Sequence, residues 1–109
     1  MDTQRTSLVN EARKQETPFW QRIADELAKP SRRRREVNLS RIARFSKKGD
    51  VIVVPGKVLG SGEITHEATI VAYSFSSSAK EKLKQANCTS MSLQEFLKKN
   101  PDGSGRIIG

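Results

Sequence analysis

The residues of this chain best suited to chemistry on a partner are arginines and lysines, and they cluster in one stretch. The 109 residues include 20 Lys and Arg against 12 Asp and Glu, which gives a formal net charge of +8. Between positions 29 and 48 only Glu36 opposes nine basic residues, so this stretch alone accounts for the whole net charge. Its basic residues are Lys29, Arg32, Arg33, Arg34, Arg35, Arg41, Arg44, Lys47 and Lys48.

The run Arg32–Arg35 predicts a surface that binds phosphate groups. Adjacent arginines repel one another unless a polyanion is nearby, and the planar, weakly hydrated guanidinium group matches the geometry of phosphate. A solvated basic loop or a localisation signal remains the alternative for such a run. The run lies between segments that are predicted to fold, which favours a built phosphate-binding surface and a nucleic-acid partner.

Catalytic chemistry has little support in the sequence. His66 is the only histidine and is expected on the surface, and Cys88 is the only cysteine, so neither a disulfide nor a tetrahedral zinc site is predicted. Gly56, Gly60 and Gly62 lack the Gly-Lys-Ser/Thr of a phosphate-binding P-loop and are interpreted as turn residues. We therefore expect no enzyme, no cofactor, no metal and no small-molecule substrate.

The aromatic residues do not predict a platform on which bases stack. Trp20 lies on an apolar helix stripe and Tyr73 in an apolar strand, so both are expected in the core. Aromatic residues make up only 6% of the chain. The predicted mode of recognition is therefore contact with the phosphates and the shape of structured RNA.

Three helices are predicted in the first half of the chain, and they must position the basic residues. The first spans about 3–15. The second has Thr17 as its N-cap and Pro18 in its first turn and ends at Ala28, so that the arginine run follows as a loop. The third runs from Asn38 as N-cap to about Lys47, with Gly49 in the C-terminal cap.

The third predicted helix carries basic residues on one face and apolar residues on the other. Arg41, Arg44 and Lys48 are spaced i, i+3 and i+7, so they are expected to project together. The buried face is expected to hold Leu39, Ile42, Ala43 and Phe45.

The second half of the chain predicts strands that alternate with helices. Val51–Val54 and Ala68–Phe75 are apolar on both faces, as in a sheet covered by helices, and Pro55-Gly56 is predicted to be a turn. Ser78 with Glu81 and Ser92 with Glu95 predict two helix starts, with a short strand within 87–91.

These elements predict one α/β domain over residues 1–109, with N-terminal helices, a small sheet and a basic RNA-binding segment at 29–48. Ile107 and Ile108 of the glycine-rich tail are expected to be able to dock on it. The longest apolar run has four residues against the ~20 that span a membrane, and no signal peptide is visible, so an intracellular protein is expected.

Several blocks of the sequence closely resemble the ribosomal protein L-eighteen-e (L18e) family in its archaeal form. The blocks are residues 36–42, 49–62, 72–76 and 100–108, together with Pro18-Phe19-Trp20. This family shares its superfamily with the bacterial ribosomal protein L-fifteen (L15). The resemblance covers nearly the whole chain, and the Val-Pro-Gly-Lys-Val-Leu-Gly segment at 54–60 is its most specific part.

The resemblance implies a structural protein of the large ribosomal subunit, located in the cytoplasm on the ribosome. Its partners would be ribosomal RNA and neighbouring large-subunit proteins. The implied fold is an irregular superhelix of strand-strand-helix turns behind the N-terminal helices. Besides the nine basic residues of 29–48, the candidate RNA contacts are Asn38, Ser40, Lys57 and Arg106.

A DNA-binding helix-turn-helix protein is the alternative. Its helices would be Thr17–Ala28 and Asn38–Lys47, with Arg41 and Arg44 in a groove of the DNA. The linker between these helices is longer than the usual turn of about 3–4 residues, which counts against this alternative.

Overall fold

Helices and strands alternate around one parallel sheet. The structure is a computed structural model that describes residues 3–29, 35–103 and 105–108. Its elements in chain order are α1 (Thr3–Lys14), α2 (Pro18–Ala28), β1 (Arg35–Asn38), α3 (Leu39–Phe45), β2 (Val51–Leu59), β3 (Thr69–Phe75), α4 (Ser77–Gln85), β4 (Thr89–Ser92), α5 (Leu93–Lys99) and β5 (Arg106–Ile107). The predicted α/β class, with helices first and a small sheet after them, is confirmed.

The sheet has the order β1-β2-β3-β4, and every pair of neighbouring strands is parallel. Strand β5 also pairs with β2, where Arg106 and Ile107 lie opposite Ile52 and Val53. Strand β1 pairs with residues 56–59 of β2. Strands β1 and β5 therefore lie end to end along one side of β2.

Helices cover both faces of the sheet, as the apolar strands predict. On one face Ile52, Val54 and Ile70 pack under α3 and α4. On the other face Val53 and Val71 pack under α1, α2 and α5. Parallel strands buried on both sides are stable only in such a layered arrangement, because neither face of the strands carries a polar row for solvent.

Helix α2 confirms the most detailed sequence prediction. The Thr17 side chain accepts a hydrogen bond from the Trp20 amide at 3.2 Å, and Pro18 occupies the first turn. Trp20 is fully buried, as expected, and its indole nitrogen donates to the carbonyl of Asn100 at 3.1 Å. Tyr73 is half-buried and packs against the same core.

The predicted turn at Pro55-Gly56 is wrong, because β2 continues through it to Leu59. The pairing with β3 shifts register between Val54 and Lys57. Proline has no amide to donate to a neighbouring strand, so it is tolerated where the ladder is irregular. The irregularity leaves Lys57 exposed between buried neighbours.

The helix starts in the second half are partly as predicted. Ser92 caps α5 by accepting from the Glu95 amide at 3.2 Å, which confirms that start. The start at Ser78 is wrong: Ser76 is the N-cap of α4 and accepts from the Ala79 amide at 3.2 Å. Ser78 is already the second residue of α4, so it cannot serve as the N-cap.

The C-terminal tail docks on the sheet, as expected. It forms β5, and the amide of Ile108 donates to the carbonyl of Val53 at 3.0 Å. Ile108 is buried in the core beneath α3 and α4. None of the helices in the described ranges is long and apolar enough to cross a membrane.

Candidate nucleic-acid interface

Helix α3 presents two of the predicted arginines to solvent. It crosses from β1 to β2, and Leu39 and Ile42 anchor it to the sheet without any exposed surface. Because a helix turns every 3.6 residues, Arg41 and Arg44 lie together on the outer side, where both are exposed.

The helix is shorter than predicted, which separates Lys48 from the arginines. It ends at Phe45, and Ser46 at its C-cap is already extended, so the predicted end at Lys47 and the predicted cap at Gly49 are wrong. Gly49 instead serves the following turn, where its φ of 88° lies in the left-handed region. The Asp50 carboxylate closes this turn by accepting from the Lys47 amide at 2.8 Å.

Phe45 is on the surface, which corrects the expectation that it is buried. It is 44% exposed and is the only exposed large apolar residue in the described part of the chain. The guanidinium carbon of Arg41 lies 5.3 Å from the centroid of its ring. This distance is typical of a cation–π contact, which orients the guanidinium group across the ring.

The tail brings a further arginine to α3. Arg106 of β5 is exposed and donates a hydrogen bond from Nη1 to the Phe45 carbonyl. A groove of about 280 Å³ opens at this contact, and we call it the arginine groove. It is lined by Arg22, Arg41, Phe45, Arg106, Ile107 and Ile108.

The arginine groove crosses the edge of the sheet. Arg22 comes from α2 on one face, Arg41 comes from α3 on the other face, and β5 lies between the two layers. A second groove of about 400 Å³ adjoins it and is also lined by Arg106, together with Lys47 and Asp50. Basic side chains therefore extend from α2 across the sheet edge to the turn after α3.

The arginines of this region have no carboxylate partner within the described residues. Arg22, Arg41, Arg44 and Arg106 form no salt bridge there, and no acidic residue lines the arginine groove. Basic residues elsewhere do pair: Arg13 lies 3.1 Å from a carboxylate oxygen of Asp25, for example. Among the described residues, therefore, no acidic side chain lines the arginine groove or pairs with its arginines.

Lys29 differs from the other candidates because it has an internal partner. Its ammonium group lies 3.1 Å from both carboxylate oxygens of Glu26, and its side chain is only 42% exposed. A phosphate would have to compete with that carboxylate. Lys29 is therefore a weaker candidate than the arginines of α3.

Of the arginine run, Arg32, Arg33 and Arg34 lie outside the described residues. Arg35 begins β1, so the predicted loop ends earlier than expected and a strand follows it. The sequence does not predict this strand, because Val37 is its only core residue. Pairing with β2 determines its extended conformation. Arg35 lies opposite Gly56 of β2, and Ile107 of β5 lies opposite Val53 of β2. Gly56 and Val53 are three residues apart, so the backbone of Arg35 is about 10 Å from that of Ile107 along the strand direction.

The remaining candidates lie away from the arginine groove. The side chain of Asn38 makes no cap bond to α3; its oxygen accepts from the Ser61 amide at 3.3 Å. Ser40 donates its amide to the Ser61 carbonyl at 3.1 Å, and its side chain is exposed. Lys57 is exposed on β2 opposite Glu36 of β1. None of these three side chains lines the arginine groove.

The sequence does not predict that Arg22 and Phe45 belong to this candidate interface. Arg22 lies outside the apolar stripe of α2, but nothing in the sequence shows that α2 ends up beside β5. Phe45 shares the helical spacing of the buried residues, and only the end of α3 at this position turns it outward. Both placements follow from tertiary structure.

His66 is half-buried rather than on the open surface, which corrects that expectation. Its Nε2 lies 2.7 Å from Oγ of the buried Ser46, which donates to the Ile42 carbonyl at 2.6 Å. Cys88 donates from Sγ to the His66 carbonyl at 3.3 Å. These contacts tie the end of α3 to the loop before β3. No group of three or more metal-ligating side chains occurs among the residues the structure describes.

The class of the protein follows from comparison with known families. Residues 20–90 match the family described as ribosomal proteins 50S-L15, 50S-L18e and 60S-L27A, and the chain belongs to this family. The match includes α2 from Trp20 onward, α3, α4 and the first three strands of the sheet.

Individual archaeal proteins are similar to this chain over most of its length. The large ribosomal subunit protein eL18 of Archaeoglobus fulgidus is 47% identical over 98 residues, which cover 90% of this chain and 84% of the relative. The protein of the same name from Sulfurisphaera tokodaii is 46% identical over 95 residues, covering 87% and 80%. That from Methanococcus maripaludis is 40% identical over 97 residues, covering 89% and 81%. The resemblance to archaeal L18e proteins is confirmed.

Proposed function

We propose that this chain is a structural constituent of the large ribosomal subunit that binds ribosomal RNA and neutralises its phosphates. The observation that carries the proposal is that Arg41, Arg44 and Arg106 are exposed and form no salt bridge with any residue the structure describes. RNA helices that pack closely bring their phosphates together, and arginine neutralises them through paired hydrogen bonds.

The names of the relatives support the ribosomal setting of this proposal. We place the chain on ribosomes in the cytoplasm, with large-subunit RNA and adjacent large-subunit proteins as its partners. The candidate contacts are the arginine groove with Arg44, Lys47 and Lys48, and the run Arg32–Arg35, whose last residue begins β1. Asn38, Ser40 and Lys57 form a second, separate set of candidate contacts.

The helix-turn-helix alternative is not favoured by the fold. Helices α2 and α3 pack on opposite faces of the sheet, and β1 lies between them in the chain. In a helix-turn-helix the two helices pack against each other across a turn of about 3–4 residues. Arg41 and Arg44 are therefore not presented by a recognition helix of that kind.

The test compares two double variants that change the net charge equally. Arg41→Glu/Arg44→Glu reverses two exposed residues of α3, and Lys80→Glu/Lys84→Glu reverses two exposed residues of α4. In each pair one residue lies early and one late in its helix, so the effects on the helix dipole are matched.

The measurement is co-sedimentation of each full-length variant with large subunits through a high-salt gradient. We expect the α3 variant to be lost from the subunits and the α4 variant to remain. Equal retention of the two variants would contradict the proposal. Equal loss would contradict it as well, because net charge alone would then explain the binding.

A further inference from the structure

The arginine groove combines two features that phosphate binding alone does not require together. Its rim carries Arg22, Arg41 and Arg106, and its exposed apolar surface comes mainly from Phe45, since Ile107 is half-buried and Ile108 is buried. Phosphate needs only the cations. An apolar, aromatic surface beside cations suits a ligand that has a flat ring and a negative charge in one unit.

Phe45 is held outward by its neighbours. Its carbonyl accepts the hydrogen bond from Arg106, and Arg41 lies 5.3 Å from its ring centroid. The ring and the guanidinium plane both offer surfaces on which a nucleobase can stack. Because 44% of Phe45 is exposed, the free protein leaves apolar surface in water that a stacked base would cover.

The groove is small, which limits what can occupy it. Its volume of about 280 Å³ is just below the ~300 Å³ at which pockets for drug-sized ligands begin. One planar group fits this size better than a peptide side chain with its backbone. The three arginines of the rim, with no acidic residue among the lining side chains, favour an anionic occupant.

We infer that the arginine groove binds a single unpaired nucleotide of RNA, whose base stacks on Phe45 and Arg41 while Arg22 and Arg106 hold the flanking phosphates. This inference rests on the proposed function and deepens it, because it assigns an unstacked nucleotide, rather than duplex backbone, to this part of the interface. Single-stranded loops and bulges are the parts of RNA whose bases are free to stack on a protein.

The test uses three variants of Phe45 in the full chain. Phe45→Ala removes the ring, Phe45→Leu keeps an apolar side chain without a π face, and Phe45→Trp enlarges the stacking surface. Two probes separate stacking from charge: a short single-stranded oligoadenylate, and an abasic ribose-phosphate strand of the same length and charge. A base stacked on an aromatic residue contributes roughly 5- to 150-fold in affinity, so about a tenfold effect is expected for a ring that is only half exposed.

We expect Phe45→Ala and Phe45→Leu to weaken binding of the oligoadenylate about tenfold and to leave binding of the abasic strand unchanged, with Phe45→Trp restoring or exceeding the original affinity. Trp20, the only tryptophan, is fully buried and out of contact with a bound strand, so any quenching in Phe45→Trp comes from the introduced tryptophan and reports on the groove. That fluorescence should be quenched by the oligoadenylate and not by the abasic strand.

Three results would overturn the inference. The first is equal affinity of the original chain for the oligoadenylate and the abasic strand. The second is an unchanged oligoadenylate affinity in Phe45→Ala. The third is competition by a poly-glutamate peptide as effective as that by the oligoadenylate, which would show a groove that responds only to charge. If Arg41→Glu/Arg44→Glu is still lost from large subunits in these cases, the proposed function stands and only the inference fails.

Discussion

The salt dependence of RNA binding tests how many charges of this surface contact phosphate. Affinity falls with salt in proportion to the number of phosphates neutralised, by a slope of roughly 0.7 to 0.9 per phosphate in a plot of log affinity against log salt concentration. At the lower slope of about 0.7, which applies to single strands, six to eight contacts predict a fall of about 4–6 in log affinity for each tenfold rise in salt. Arg41→Glu/Arg44→Glu removes two contacts and should lower the slope by about 1.4–1.8.

The matched variant separates local contact from overall charge. Each double reversal changes four units of charge, so both Arg41→Glu/Arg44→Glu and Lys80→Glu/Lys84→Glu lower the net charge from +8 to +4. The assay is fluorescence anisotropy of labelled large-subunit RNA at a series of KCl concentrations, after circular dichroism has shown that both variants are folded. We expect the slope to fall only for the α3 variant. The same slope for the two variants would refute the assignment of phosphate contacts to α3.

Three further predictions concern the arginine run and the fold. Arg33→Glu/Arg34→Glu should reduce incorporation into large subunits, measured by sedimentation, and normal incorporation would count against a role for the run. Gly60→Ala should lower the free energy of unfolding by about 3 kcal/mol, because its Cβ would lie within 2.9 Å of the main chain of α4. In Gly49→Ala the new Cβ would meet nothing within 4 Å, so the free energy of unfolding should fall by only about 1 kcal/mol, from left-handed backbone strain. Equal losses for the two variants in urea unfolding would contradict the close packing at Gly60. Ser46→Ala should cost about 1–3 kcal/mol in the same assay, because it leaves two hydrogen-bond partners unsatisfied at a buried site; no loss would show that water replaces the hydroxyl.

The parts of the fold that the sequence predicts are those that local spacing decides. The apolar stripe and the Thr17 cap of α2 are set within one helix, and the two-sided apolar pattern of β3 is set within one strand. The path through Pro55 is different, since a proline-glycine pair is compatible with either a turn or an irregular strand. Only the strands on both sides of β2 decide between them.

The same distinction between local spacing and tertiary structure applies to the candidate site. Arg41 and Arg44 were found because helical spacing places them on one face. Arg22 and Arg106 are 84 residues apart in sequence and meet only because β5 docks beside β1 on the same side of β2. A strand of two residues, Arg106–Ile107, has too little sequence to show a period. The groove was therefore beyond prediction from the pattern of any one segment.

The fold brings together charges that the unfolded chain keeps apart. Arg22, Arg41 and Arg106 come from three distant segments and repel one another once they line one groove without a carboxylate among its lining residues. The burial of Ile42 and Ile108 beneath them offsets this repulsion and fixes their positions. A polyanion in the groove would relieve this repulsion only in the folded chain, so the proposed RNA binding predicts that RNA stabilises the fold by linkage. In the proposed function, recognition and stability thus depend on the same feature, the pairing of β5 with β2, which brings Arg106 to the Phe45 carbonyl at the end of α3.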